Sequence, residues 1–356
     1  GAGSGAALFA GGDFALAGGR VAHDVARWDG SDWTAVAEPG QSGLGGPVDC
    51  SVRALAVAAD GTGRPTLFAG GPFTTAGEER VLQIASWNGT AWSPLGEGIT
   101  GGGVEALIGF DDGSGPALYA GGAFTSAGGL SAIYTARWNG SAWSALPSFP
   151  GGRVHGFAVH DEGLGAGPEL HVAAAGVGRW DGTSWSGVGG GPFDPVYALA
   201  SYDDGSGHVL YAGGLRPGGI ARWDGVQWAP VAGGFGMTGG QPVVVALAVH
   251  DDGSGPALYA AGTFDSAGGG LDAPATSLIV HRGALLVGGR FQLAGATPAA
   301  RIASWDGTRW SPLGEGLDDA PLSFAVLDDG SGPPSLFVGG RFTAAGTRAS
   351  ARIAEW

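Results

Sequence analysis

Val104–Trp143 reads VEALIGFDDGSGPALYAGGAFTSAGGLSAIYTARWNGSAW, and Val52–Trp92 reads VRALAVAADGTGRPTLFAGGPFTTAGEERVLQIASWNGTAW. The two stretches match nearly throughout. Self-similarity at a fixed period signals a repeat architecture and outranks local readings. The Gly-Gly pair returns at Gly11, Gly70, Gly121, Gly213, Gly288 and Gly339, with degenerate copies near Ala174 and Ala261, so the chain carries eight units at a usual step of about 50 residues. Their approximate bounds are 1–40, 49–98, 103–148, 152–190, 195–233, 242–270, 277–316 and 321–356, all within one domain, 1–356.

Each full unit predicts four short strands. An apolar run such as Ala54–Ala58 or Val245–Val249 comes first. A turn then follows at Asp111-Asp112-Gly113-Ser114-Gly115, with copies starting at Asp203, Asp251 and Asp328. Gly supplies positive φ there and Asp tolerates tight turns. The second strand leads into the Gly-Gly pair, the third ends in Trp-Asp-Gly or Trp-Asn-Gly, and the fourth opens on the next Trp. The strands are apolar on both faces, Leu55 and Val57 on one and Ala54, Ala56 and Ala58 on the other. A strand covered on one side alternates apolar with polar, so these strands fit sheets packed between sheets, as in a β-propeller. Unit one lacks its first strand, unit eight its fourth, and unit six breaks off after two. The count is 28 strands, which divides into seven four-stranded blades and is the preferred number; eight Gly-Gly strands argue for eight blades, some incomplete.

Six tryptophan pairs share one spacing: Trp28/Trp33, Trp87/Trp92, Trp138/Trp143, Trp180/Trp185, Trp223/Trp228 and Trp305/Trp310, with Trp356 closing a truncated copy. Their equal recurrence points to packing between blades, since aromatics bury large areas; exposed carbohydrate platforms are the alternative.

With 74 Gly in 356 residues, long helices are disfavoured. The net charge is −15, and every one of the 17 basic residues is Arg. No basic stripe appears, which argues against nucleic acid as a partner. Cys50 is the single cysteine, so there is no internal disulfide. The longest apolar runs, such as Val243–Val249, are too short to span a bilayer, so membrane insertion is not expected.

The order Gly-Gly, loop, Trp resembles kelch-type propeller repeats. It is more similar still to Gly-Gly-x-Phe repeats, as in Ala120-Gly121-Gly122-Ala123-Phe124 followed by Ala136-Arg137-Trp138-Asn139-Gly140. Those repeats occur in secreted, mostly uncharacterised bacterial proteins and in fungal cortical landmark proteins. The resemblance implies a secreted or cell-surface propeller, by analogy bacterial, and carries over no catalytic residue.

Chemistry is sought where the repeat breaks. Unit four lacks Gly-Gly-x-Phe and holds His155, His160, Glu162, Glu169 and His171. With a turn near Leu164, His160 and His171 fall on one face of neighbouring strands. His with carboxylates can bind zinc or do acid–base work, but no ligand spacing supports it, and solvated turn histidines are the plainer reading. These three histidines are the only metal candidates, and weak ones; no metal or other cofactor is expected. The Asp-Asp-Gly turns look like calcium loops, yet offer too few ligands. Asn88-Gly89-Thr90 and Asn139-Gly140-Ser141 match the glycosylation sequon but are positional copies of Asp-Gly turns. No nucleophile elbow, phosphate loop or zinc-protease motif occurs, so no catalytic residue is assigned. The function expected is a non-enzymatic binding or structural scaffold, with a protein partner or self-assembly. A lectin-like propeller that binds glycan is the first alternative, and a carbohydrate-active hydrolase or lyase the second.

Overall fold

The computed structural model describes residues 8–356 apart from 18–19, 29–31, 38–42, 47–50, 163–166, 193, 204–206, 216–218, 232–241, 252–255, 264–270, 282–283, 306–308, 328–334 and 351. Cys50, the turn around Leu164 and most of the Asp-rich turns from Asp203, Asp251 and Asp328 lie outside the described residues. The described residues form strands and no helix.

Among the described residues, the apolar strands make eight antiparallel sheets, one per unit. Units two, three, four, five and seven have four strands in chain order; in unit three they are Val104–Asp111, Pro116–Gly122, Thr135–Trp138 and Trp143–Ala145. Unit one has three (Leu8–Gly11, Val25–Trp28, Trp33–Ala35), unit six two (Val243–Asp251, Pro256–Thr263), and unit eight three (Pro321–Leu327, Ser335–Gly340, Ile353–Glu355). The strands are thus not redistributed into seven complete sheets. First strands touch one another in succession from unit two to unit eight, and Leu8–Gly11 of unit one touches the first strands of both units eight and two. That succession is the ring order of a β-propeller. Trp28, Trp33 and Ala26 of unit one share a core with Phe337 and Ile353 of unit eight, which joins the two ends.

The two glycines of each pair set the spacing of this ring. A Cβ on the first would strike the next unit's first strand. Gly11 would meet Val52 Cγ1 at 2.5 Å, Gly70 Val104 Cγ1 at 2.5 Å, Gly121 Val154 Cγ1 at 2.6 Å, Gly213 Val244 Cγ1 at 2.5 Å, and Gly288 Pro321 Cγ at 2.5 Å. Where Ala261 replaces that glycine, the following unit opens on the smaller Ala275, and the two share one core. A Cβ on the second glycine would strike the backbone at or just ahead of the start of its own unit's first strand: Gly71 the Ser51 carbonyl, Gly122 that of Gly103, Gly262 that of Val243, and Gly289 that of Pro274. Backbone completes the join, since Val52 N donates to Gly12 O and Val154 N to Gly122 O, both at 3.1 Å.

The first strands open on a common pattern: Val52-Arg53-Ala54-Leu55, Val104-Glu105-Ala106-Leu107, Val154-His155-Gly156-Phe157, Val196-Tyr197-Ala198-Leu199, Val244-Val245-Ala246-Leu247, Ala275-Thr276-Ser277-Leu278 and Pro321-Leu322-Ser323-Phe324. The ladder skips the second residue of the pattern in units three, five, six, seven and eight. Such a bulge turns that side chain away from the alternation of the strand.

The Phe of Gly-Gly-x-Phe is fully buried at Phe73, Phe124, Phe291 and Phe342. The tryptophans of each pair stand directly opposite across a four-residue turn, as in Trp87↔Trp92 and Trp138↔Trp143, with centroids 5.5 and 5.4 Å apart. The second indole reaches the preceding sheet: Trp92 Nε1 donates to Val36 O (2.6 Å), Trp143 to Leu95 O (2.8 Å) and Trp228 to Val188 O (2.7 Å). Trp28, Trp33, Trp87, Trp92, Trp143, Trp180 and Trp223 are buried, whereas Trp138, Trp185, Trp228, Trp305 and Trp310 are half-buried.

The glycine contact makes a prediction. Gly70→Ala overpacks the join with Val104 and should destabilise the protein by about 1–3 kcal/mol. Adding Val104→Ala, which recreates the Ala261–Ala275 combination, should cost less than the two single changes summed. Urea unfolding of the four proteins measures the coupling; strict additivity would contradict the contact.

Candidate functional site

At the start of the first strands of units two to five, Arg53, Glu105, His155 and Tyr197, which share the second position of the pattern, form a row together with Arg153. Glu105 accepts a hydrogen bond from Arg153 Nε at 2.7 Å, lies 3.7 Å from His155 Nδ1 and stands 3.9 Å from Arg53. His155 stacks against Tyr197 with centroids 5.1 Å apart. Burial pushes the His155 pKa down, with Glu105 opposing and Arg153 reinforcing, so the imidazole is neutral at pH 7. One carboxylate between two guanidinium groups is committed to ion pairing. Neither Arg153 nor Glu105 stood out in the sequence, because the bulge that brings them together is a backbone event.

His160 and His171 do meet, with ring centroids 5.7 Å apart, and both are buried. Ala158 stands opposite His171 and Glu169 opposite His160 in the ladder. These are the repeat positions that Phe110 and Tyr119 hold in unit three and Tyr202 and Tyr211 in unit five, pairs at 6.0 and 5.8 Å. The histidines therefore replace an aromatic pair between sheets and are not solvated turn residues. His160 Nδ1 bonds Ser201 Oγ at 2.8 Å, and His171 Nδ1 the Glu169 carbonyl at 3.2 Å. Glu162 accepts from Trp223 Nε1 and, like Glu169, pairs with Arg179. Among the described residues, no three His, Cys, Asp or Glu side chains come together in a metal-holding group.

The polar turns are occupied by their own protein contacts. Asp111 Oδ1 accepts from Gly113 N and Gly115 N. Asp112 Oδ2 accepts from Tyr119 OH at 2.6 Å and from Trp180 Nε1 of the next unit at 3.1 Å; against the opposing effect of burial, the hydrogen bonds from Ser114, Tyr119 and Trp180 hold its carboxyl well below the usual range. Asn88 and Asn139 of the two sequons accept backbone N–H groups of their own hairpins, from Thr90 and Ala91 and from Ser141 and Ala142.

A cavity of about 780 Å³ lies between units eight, one and two. Its floor is the strand Leu8–Gly11, which pairs with Val25–Trp28 on one edge; among the described residues no strand pairs with the other. Leu55 of unit two forms one wall and Phe324 of unit eight the other, with Arg53 and Arg341 among its charged lining residues. Phe9 is half-buried here, whereas its counterparts Phe68, Tyr119 and Phe337 are buried. Both glycine contacts described above are missing on this side: a Cβ on Gly12 would meet only the Phe14 ring, and one on Gly339 only atoms of its own unit, Ser323 and Arg352. Arg352 crosses the outer side of the seam to Asp13 at 2.8 Å.

No protein-family model matches the chain, and no curated protein is significantly similar to it. Among solved structures, the extracellular domain of a putative hybrid two component system from B. thetaiotaomicron is similar over 88% of this chain and 39% of its own, at 12% identity and a TM-score of 0.52. The extracellular domain of a putative one component system from the same organism is similar over 89% and 40%, at 12% identity and a TM-score of 0.50. The WD40 beta propeller domain of Doa1 aligns over 88% and 93%, at 14% identity and a TM-score of 0.46. The chain spans about two-fifths of the length of the two bacterial structures. At these identities the likeness concerns the fold.

The buried His171 makes stability pH-dependent. Burial lowers its pKa from 6.5 to about 4, so between those values the unfolded chain binds a proton that the folded chain refuses. Stability is then full above pH 6.5 and falls as pH drops toward 4, by roughly 3 kcal/mol for this group. His171→Phe, which places the residue found at Phe68 and Phe337, should flatten the decline. Urea midpoints at pH 7 and pH 5 test this; equal pH slopes for both proteins would refute it.

Proposed function

We propose that the chain is a non-enzymatic binding scaffold, a propeller of eight kelch-like blades acting outside the cell, that holds a segment of a protein partner in the cavity between units eight, one and two. The cavity carries this reading: it is concave, with Leu55 and Phe324 on its walls and Arg53 and Arg341 among its charged lining residues. Recognition sites commonly combine concavity, apolar lining and a few polar groups in this way. Asp111, Asp112, Asn88, Asn139, Glu105, Glu162 and Glu169 are engaged within the fold. The extracellular placement follows the resemblance of the repeats and the two bacterial neighbours.

Burial of seven paired tryptophans, and the use of three indole N–H groups between sheets, support the pairs as structural and weigh against the lectin alternative.

Selection from a displayed peptide library tests the proposal. Extended apolar peptides should be enriched, binding one per chain, and Gly12→Leu, which projects a side chain into the cavity, should weaken them at least tenfold while the protein still melts cooperatively. Binders indifferent to Gly12→Leu, or glycan binding that vanishes on replacing Trp138, would overturn it.

A further inference from the structure

We infer that the row at the start of the first strands binds a small organic acid, its carboxylate held by Arg53, Arg153 and Tyr197 and its apolar body by Val245. This goes beyond the binding reading above and concerns units two to six. Units two to five are complete four-stranded sheets. It is the first strands that touch one another around the ring, so a row stepping from one to the next follows the ring's inner rim. The second position of the pattern holds Arg53, Glu105, His155, Tyr197 and Val245 in units two to six. Charged, aromatic and apolar side chains thus follow one another in that order.

The charge in this row does not balance. Arg53 and Arg153, from units two and four, converge on the same oxygen, Glu105 Oε1. Arg153 also donates Nε to Oε2, so Glu105 takes one edge of that guanidinium. Nη1, on the other edge, has no hydrogen bond among the described residues, and the Arg153 side chain is 52% exposed. The Arg53 guanidinium is seated by a bare Cα: a Cβ on Gly103 would come within 3.0 Å of its Nη1. Burial keeps His155 neutral here. Two guanidinium groups sharing one carboxylate leave a positive charge uncompensated, and like charges this close repel. The net charge of −15 lies mostly elsewhere, and salt screens exposed charges beyond about 8 Å at physiological strength.

A carboxylate answers this excess, because a planar guanidinium offers it parallel N–H donors. Tyr197 adds a third donor. It lies close enough to Arg153 to act on its charge, and among the described residues its hydroxyl makes no hydrogen bond. Past Tyr197 the row turns neutral. Val245 is 40% exposed, and the Thr276 hydroxyl of unit seven is spent on Pro321 O at 2.6 Å. Polar recognition therefore stops at Tyr197, and what continues from the carboxylate meets an apolar surface. Few polar groups beside apolar ones orient a small ligand in this way.

The probe is octanoate, titrated into the full chain by isothermal calorimetry beside acetate, octanol and inorganic phosphate. Saturable one-to-one binding of octanoate is expected, at least tenfold tighter than that of acetate or phosphate, with none for octanol. Arg53→Gln and Arg153→Gln should each weaken octanoate at least tenfold, and Tyr197→Phe severalfold. Val245→Ser should weaken octanoate and leave acetate unchanged. If Arg153→Gln fails to melt cooperatively, Arg53→Gln carries the test. Octanol or phosphate binding as tightly as octanoate, no saturation by octanoate, or indifference to the arginine changes would overturn the inference. Octanoate binding lost on Gly12→Leu but kept in Arg153→Gln would place it in the cavity and overturn the inference as well.

Discussion

Everything in this molecule is spaced by the contact between a bare Cα in one sheet and a branched side chain in the next. Five glycines from Gly11 to Gly288 leave room for a Val or Pro whose carbon lies where a Cβ would intrude, at 2.5 or 2.6 Å. Close-packed interiors do not absorb a misplaced methyl group, so this contact sets the distance between neighbouring sheets and, repeated around the ring, the width of the centre. The indole hydrogen bonds from Trp92, Trp143 and Trp228 act at the outer end of the same joins. One device spaces the sheets from inside and another ties them from outside, and both link a unit to its neighbour.

The architecture was legible because repetition multiplies weak signals. A single Gly-Gly pair or Trp-Asn-Gly turn says little; their recurrence around Gly70 and Gly121, with Trp87/Trp92 and Trp138/Trp143, identifies the strands and their order. The number of sheets was less legible. Counting strands assumes every sheet is full, whereas the units keep their identity and, among the described residues, units one, six and eight have fewer than four strands. A strand stays in the sheet whose register it matches, since a one-residue slip turns every side chain to the wrong face.

The site was only half legible. That eight units recur can be read from the sequence; that Gly12 and Gly339 line one cavity cannot, because they are more than 300 residues apart in the chain. The histidines of unit four show the converse. Their chemistry drew notice in the sequence, but aligning His160 with Phe110 and His171 with Tyr119 makes them aromatic fillers between sheets. Position within the repeat proved a better guide to role than residue type.

The glycine contact also sets how such a chain could be cut and rejoined without damage. Each Gly and the Val it accommodates lie on opposite sides of the link between one sheet and the next, so a cut in that link separates two residues whose sizes must agree. A cut in the Asp-rich turn between first and second strands leaves every second strand attached to the first strand it must fit, and keeps Ala261 with Ala275. The segment that can be exchanged by recombination is therefore a junction rather than a sheet. Blades shuffled whole would carry mismatched surfaces to both neighbours, whereas junctions shuffled whole would bring their fit with them.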